Sequence, residues 1–280
     1  MHTLNWRQID ALIDAALEED LGLAGDITST AIFDGGQRIS ARFVAREPGV
    51  LAGLNVALRV FSRFDPAMAA GTLLPEGAPF SAGAELGYVN GLAASVLPAE
   101  RTALNFLRHL TGVATLTRAF VDRVKGTKAR ITDTRKTTPL LRGLEKYAVT
   151  MGGGINHRFG LFDAAMVKDN HIAAAGSIGA AIRSVRARIP HTATITCEVD
   201  RLDQIEEALA AGADSILLDN MTAAELRQAV ALVGGRARTE ASGGVRLETV
   251  GEIAATGVDL ISVGALTHSP RQVDIALDVQ

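Results

Sequence analysis

Apolar positions along the chain keep two different rhythms, and the change between them divides the sequence. In LNWRQIDALIDAALEEDLG (4–22), Ile9, Leu12, Ile13, Ala16 and Leu17 recur at helical spacing, and Gly22 supplies a stop. RISARFVARE (38–47) alternates instead, which puts Ile39, Ala41, Phe43 and Ala45 on one side of a half-buried strand. Residues 71–98 are dense in glycine and proline and read as short strands and turns. A long helical pattern begins at Pro98, PAERTALNFLRHLTGVATLTRAFVDRVKG, with Leu104, Leu107, Phe120 and Val124 among its apolar positions and Gly126 closing it.

After that helix the pattern becomes regular. The strand-like runs TITCEV, DSILLD, RARTEA and DLISVG are separated by the helical stretches DRLDQIEEALAAG, TAAELRQAVALVG and LETVGEIAATG, each ending at a glycine. Thr222 and Glu225 have the spacing of a capping box, and Asp200 is placed to cap the helix over 201–211. The acids Glu198, Asp219 and Glu240 close three successive runs at intervals of 21 residues. Strand alternating with helix at that period predicts a parallel α/β sheet closed toward a barrel, preceded by an α+β domain. The expected organisation is an N-terminal α+β domain over 1–105, a barrel domain over 106–268, and a C-terminal segment, 269–280, packing back on the first domain.

Charge adds a location. The chain as a whole carries a net charge of −3, yet residues 128–171 hold eight cations against four acids. Arg135, Lys136, Arg142 and Lys146 crowd into ITDTRKTTPLLRGLEKY. A sequence pI near 6.1 speaks against a nucleic-acid binder, which would show a basic face and a high pI, so the local excess predicts a small anionic ligand. The single cysteine, Cys197, excludes an intramolecular disulfide and reads as a small buried hydrophobe in TITCEV. The N-terminal stretch has no basic leader followed by an apolar core, and no window approaches a membrane span. A cytoplasmic protein is expected.

In parallel α/β architectures ligands gather at the carboxyl ends of the strands. That rule selects Asp133 to Lys136, Lys168 to His171, Glu198, Asp219, Glu240 with Ser242, and Gly264. ASGGV (241–245) and SVGAL (262–266) each follow a strand and open a helix, so small residues there can bring backbone N–H groups up to a phosphate. Glu198 and Asp219 suit a Mg²⁺ held mainly by a polyphosphate and water, since Thr222 fills the helix cap that Asp219 could otherwise serve. His157, His171, Asp169 and Glu198 match no standard zinc spacing, and both histidines sit beside cations, so hydrogen bonding to an anion suits them better. Lys168 at a strand end also fits a Schiff base, as in barrel lyases, and that reading stays open on local chemistry alone.

The longer motifs are more specific. TRKTTP (134–139), LEKYAV (144–149), GGGINHRFGLFD (152–163), VKDNHI (167–172), CEVD (197–200), ILLDNM (216–221), EASGGV (240–245) and ISVGALTHS (261–269) together resemble quinolinate phosphoribosyltransferase. ALEEDLGLAGDITS (16–29), REPGVLAG (46–53) and ERTALNFLRHLTGVAT (100–115) extend the resemblance over the N-terminal half. It implies a type II phosphoribosyltransferase, with an N-terminal α+β sandwich and an incomplete parallel α/β barrel, assembled as a homodimer or higher even oligomer. The implied reaction joins quinolinate and phosphoribosyl pyrophosphate to give nicotinate mononucleotide, pyrophosphate and CO₂, with Mg²⁺, in de novo NAD biosynthesis.

The resemblance also allocates residues. Arg135, His157, Arg158 and Lys168 would bind the quinolinate carboxylates, and the partner subunit would supply Arg101 across the interface. Lys136, Glu198 and Asp219 would be catalytic and contact sugar, pyrophosphate and metal, Glu198 and Asp219 reaching the metal through water and pyrophosphate. Thr134 would join the substrate contacts, while Ser242, Gly243 and Gly244 with Val263, Gly264 and Ala265 would hold the 5′-phosphate. Arg forks match carboxylates bidentately and Lys supplies a point charge, which suits a pyridine dicarboxylate. A paralogous enzyme acting on another aromatic acid is the nearest alternative, and the complete NHR and VKDNH motifs speak against it; a non-catalytic metabolite-binding protein is a further one. One departure is Leu140, where the family often has glycine. With Pro139 set for a first helical turn, leucine is expected to favour helix there, leaving Arg142 and Lys146 as surface charge or structural pairing.

Overall fold

A computed structural model describes residues 4–280; Met1, His2 and Thr3, which open the stretch read above as lacking a leader, lie outside the described residues. The chain divides into two compact units. The first comprises Met1–Arg118, Thr138–Gly153 and Ser269–Gln280, and the second Ala119–Thr137 and Gly154–His268. In chain order the strands of the first unit are β1 (Arg38–Ala45), β2 (Gly49–Val50), β3 (Ala69–Thr72), β4 (Pro79–Phe80) and β5 (Glu85–Leu92). Those of the second are β6 (Arg130–Thr132), β7 (Ala165–Val167), β8 (Ile195–Val199), β9 (Ser215–Asp219), β10 (Arg238–Ser242) and β11 (Leu260–Ser262), and β12 (Ile275–Val279) belongs again to the first.

The first unit is an antiparallel sheet, in the order β12-β1-β5-β3, covered by helices. The alternation read in β1 is real: Ala41, Phe43 and Ala45 are buried. Phe43 meets Phe61 of the helix Leu54–Phe64 edge to face, with ring centroids 6.0 Å apart, a favourable aromatic geometry. The helix Trp6–Leu21 buries Ile9, Ile13 and Leu17 and ends at Gly22, whose φ of 53° is left-handed. Its outer face is pinned by Arg59 to Asp10 and Arg63 to Asp14, two bidentate pairs in matching i, i+4 registers. Residues 275–279 form β12, which pairs antiparallel with β1 from Ile275↔Ala45 to Val279↔Ala41.

The long helix begins earlier than the pattern predicted. It runs Ala93–Arg123 with Pro98 inside it, and Ala93 donates its amide to Gln37 O at 2.8 Å. Proline removes one i→i−4 bond. Ala93, Val96 and Ala99 are fully buried, and that packing outweighs the missing bond. The boundary expected after Asn105 falls inside this unbroken helix, whose first-unit portion continues to Arg118.

The second unit is a parallel sheet in the order β6-β11-β10-β9-β8-β7 among the described residues. Cys197, Ile216 and Leu218 are fully buried, as strands covered on both faces require. Burial, with the charges of Glu198 and Glu207, pushes the Cys197 thiol up to about 11, so it behaves as a hydrophobe. The sheet curls into a barrel that β6 and β7 leave open. Part of that gap is taken by Ile155, which bridges to Thr132 and exchanges backbone bonds with Ile131 and Asp133.

Local signals are met in part. The capping box is formed, Glu225 Oε2 accepting the Thr222 amide at 2.8 Å and Thr222 Oγ1 accepting the Glu225 amide at 3.3 Å. Asp200 is not the cap expected of it: the amides of Asp200 and Arg201 donate to Gln204 Oε1, and a 3₁₀ turn, Leu202–Gln204, precedes the helix Ile205–Ala210. A glutamine one turn in does the capping instead. Leu140 is also not helical. Its φ is 67° and the helix starts only at Arg142, so the position keeps the left-handed backbone that glycine accommodates.

Lys146 is not surface charge: it is 1% exposed and lies beside Glu145, which is fully buried. Glu145 accepts from the Thr138 amide at 3.1 Å and from His109 Nε2 at 2.9 Å. None of the described helices is long and apolar enough to cross a membrane.

Candidate active site

The carboxyl ends of the barrel strands enclose a cavity of about 390 Å³. After β6 the chain turns through Thr134, Arg135 and Lys136. Thr134 Oγ1 accepts the Lys136 amide at 3.0 Å, and Thr267 Oγ1 donates to the Lys136 carbonyl at 2.7 Å. This anchoring aims three successive side chains at one space, and all three line the cavity.

His157 and Arg158 reach the cavity from the segment that fills the open side of the barrel. Asp133, fully buried, accepts the His157 amide at 2.9 Å and Asn156 Nδ2 at 2.6 Å. The Arg158 amide donates to His157 Nδ1 at 2.7 Å, while Nε2 lies 3.4 Å from Glu240 Oε1. A ring whose Nδ1 accepts carries its proton on Nε2 when neutral. Arg158 Nη1 donates to the Ala164 carbonyl at 3.0 Å. Burial first, and the charge of Arg135 second, lower the Arg158 pKa from the usual guanidinium range. Two forks crowded like this are set to receive a dianion.

Lys168 follows β7, and its Nζ donates to the carboxylate of Glu198 on β8. A Schiff-base lysine has to present a neutral, unengaged amine; here the ammonium serves a charge contact. Asp219 closes β9 and accepts from Asn220 Nδ2 at 2.7 Å. Burial, then the nearby Glu198 charge, raise the Asp219 pKa, and Lys168, the Asn220 bond and Lys136 offset part of the rise. Glu240 on β10 is 2% exposed, accepts from Ser262 Oγ, and also lines the cavity.

Thr134, Arg135, Lys136, His157, Arg158, Lys168, Glu198, Asp219 and Ser242 thus share one cavity. The remaining phosphate candidates form the turns beside it. Gly243 and Gly244 have φ of 91° and 59°. A Cβ on Gly264 would stand 3.1 Å from Lys136 Cδ, and the Val263 amide donates to the Thr132 carbonyl at 2.9 Å. Ala265 opens the short helix Ala265–His268. Arg101 belongs to the first unit, where it is exposed and lines a separate cavity of about 380 Å³ with Glu19, Asp20, Asn105 and His109. His171 Nδ1 accepts the Lys168 amide at 3.0 Å and caps the helix Asp169–Ala175, and His171 is not among the residues that line the cavity.

The strand-end rule selects Asp133 and Glu240 without giving either a role, and Asn156 and Ser262 escape it. Period two held the signal for Glu240, which stands two residues before Ser242 on the same face of β10. Among the described residues no group of three or more His, Cys, Asp and Glu side chains could hold a metal by itself. Glu198 and Asp219 are the carboxylates that could contribute to one already carried by a ligand.

Comparison with known proteins agrees with this architecture. Residues 26–111 match the N-terminal domain of quinolinate phosphoribosyl transferase and residues 113–278 its C-terminal domain. The chain is 47% identical over 274 residues to the nicotinate-nucleotide pyrophosphorylase [carboxylating] of Mycobacterium leprae, covering 95% of each chain. It is 42% identical to a probable enzyme of the same name from Bacillus subtilis, covering 99% of this chain and 95% of that one. The crystal structure of NadC from Streptococcus pyogenes superposes with a TM-score of 0.96 at 42% identity, covering 100% of this chain and 99% of that one. The chain belongs to the quinolinate phosphoribosyltransferase family.

Proposed function

We propose that the barrel cavity transfers the phosphoribosyl group of phosphoribosyl pyrophosphate to the ring nitrogen of quinolinate and then releases CO₂. The products are nicotinate mononucleotide and pyrophosphate, a step of de novo NAD biosynthesis. The observation that carries the reading is the convergence of Arg135, Lys136, Arg158 and Lys168 with Glu198 and Asp219 in one cavity. A ligand bearing both adjacent carboxylates and phosphates, reacting through a cationic sugar, matches both signs of charge.

In this reading Arg135, Arg158 and Lys168 bind the two pyridine carboxylates, with His157 beside them. Lys136 faces the pyrophosphate. Ser242, Gly243 and Gly244 with Gly264 and Ala265 hold the 5′-phosphate through backbone amides, Val263 anchors that second turn through its own amide bond to the Thr132 carbonyl, and Thr134 orders the loop beneath it. As the anomeric carbon loses pyrophosphate, Glu198 and Asp219 stabilise its positive charge electrostatically. The ribosylated ring nitrogen is then cationic and accepts the electron pair left when the 2-carboxylate departs.

Glu198 and Asp219 also fit Mg²⁺. Burial first, and the Glu198 charge second, raise the Asp219 pKa, an environment that favours a nearby cation, and Mg²⁺ in such sites needs one or two carboxylates plus substrate phosphates. When bound, it neutralises charge on the leaving pyrophosphate. We read the enzyme as a cytoplasmic homodimer or higher even oligomer in which Arg101 completes the partner's site; its exposure on the helix Ala93–Arg123 supports that role.

Carboxyl-labelled quinolinate tests the reading. Labelled CO₂ is expected only when phosphoribosyl pyrophosphate and Mg²⁺ are both present. Unchanged quinolinate under those conditions would remove it.

A further inference from the structure

Asn220 has no role in the reaction as described, yet it occupies the junction between the Asp219 carboxylate and the turn after β10. Its φ is 55°, in the left-handed region, which asparagine visits more readily than other residues with a side chain. That backbone directs three contacts. Asn220 Nδ2 donates to Asp219 Oδ2 at 2.7 Å, and the Asn220 amide donates to the Ser242 carbonyl at 2.9 Å. On the far side, Asn220 Oδ1 fills the space beside Gly243: a Cβ built there would stand 2.1 Å from it. Glycine at 243 therefore answers two demands, a φ of 91° and the presence of Asn220.

We propose that Asn220 is a positioning residue that locks the Asp219 carboxylate to the Ser242–Gly244 turn, so that the sugar-facing carboxylate and the 5′-phosphate grip hold one spacing. Asn220 acts through Asp219 and Ser242 and need not touch substrate. The span between anomeric carbon and 5′-phosphate is fixed by the ribose ring. A carboxylate and a phosphate cradle on adjacent parallel strands must be held at that span, and the Asn220 side chain, bonded to Asp219 on one side and packed against Gly243 on the other, does so. The inference rests on the phosphoribosyl-transfer reading and specifies how half of that site keeps its geometry.

Asn220→Gly tests it, because glycine keeps the left-handed backbone and removes only the side chain. Asn220→Asp keeps the size and backbone preference but turns the donor toward Asp219 into an acceptor. Wild-type turnover is measured first; if it is absent, the reading of the site fails, and not the inference. With turnover established, both variants are expected to raise KM for phosphoribosyl pyrophosphate by about tenfold or more, the effect of losing a hydrogen bond to a charged group. Quinolinate binding, titrated without the co-substrate, should stay at the wild-type level, as should the Tm of Asn220→Gly. A wild-type KM for phosphoribosyl pyrophosphate in Asn220→Gly overturns the proposal. So does an equal loss of affinity for both substrates, which would mark a general disturbance of the barrel.

Discussion

Lys168 Nζ and the Glu198 carboxylate form an ion pair across the ends of the neighbouring strands β7 and β8. The lysine side chain keeps 44% of its exposure and the glutamate 17%. A pair this wet contributes at most about 1 kcal/mol to folding, so its position at the cavity serves chemistry before stability. Lys168→Ala is expected to leave the urea midpoint nearly unchanged while kcat/KM falls by about a hundredfold or more, the scale seen when a fixed charge or donor leaves a reacting site. Comparable losses of stability and activity would make the pair structural.

Arg101 is exposed on the helix Ala93–Arg123, and the assignment to a partner's site has a direct check. Arg101→Ala and Lys168→Ala proteins, each nearly inactive, are mixed under conditions of proven subunit exchange. Hybrid dimers carry one site with both lesions and one with neither, so activity is expected to recover to about a quarter of wild type, from half the molecules being hybrids with half their sites intact. Exchange without recovery would place Arg101 and Lys168 in sites of the same subunit or leave Arg101 without a catalytic part.

Leu140 holds a φ of 67° while 87% exposed. A left-handed backbone costs a residue with a Cβ roughly 1–2 kcal/mol, and so exposed a side chain buries little in return. Leu140→Gly removes that strain but adds unfolded-state entropy of about 0.4–1 kcal/mol. A net gain of about 0.5–1 kcal/mol is expected in the unfolding free energy. A loss of stability in chemical denaturation would show that the leucine side chain makes a contact that matters.

Leu140 also shows where sequence reasoning stops. Proline at 139 sets its own φ, but the sign of the next residue's φ depends on how the turn joins the helix Arg142–Met151, and leucine carries no local sign of it. The barrel was legible because its strands are buried on both faces and its helices end in glycine, both of which mark the chain at fixed intervals. The charged candidates were legible because the carboxyl end of each strand is the end that meets ligand. Pro98 misled, since the pattern records where a helix can start and not how far tertiary packing carries it back, here to Ala93. The roles of Asp133 and Asn220 stayed hidden for a different reason. Each works by bonding to a neighbour that only the fold supplies: Asp133 accepts the His157 amide, and Asn220 donates to Ser242.

Asp219 gives a prediction in which function opposes stability. Burial first, and the charge of Glu198 second, raise its pKa above the ordinary aspartate range. An acid whose folded-state pKa lies above its unfolded value binds its proton more tightly in the fold, so protonation favours folding. The stability is whole below the unfolded pKa, declines as pH rises through the raised folded value, and stays lowered above it. Asp219→Asn removes the charge, keeps the shape, and leaves the Asn220 side chain an oxygen to bond. In the ligand-free protein at pH 7 the variant is therefore expected to melt above wild type, although it loses phosphoribosyl transfer. The gap should narrow as the pH is lowered toward the ordinary carboxyl range, where the wild-type group takes up its proton. Thermal unfolding of both proteins across that range is the measurement. A variant that melts at or below wild type at pH 7 would mean that Lys168 and Lys136 already compensate the carboxylate, and that the pair Glu198 and Asp219 has no unmet demand for a cation.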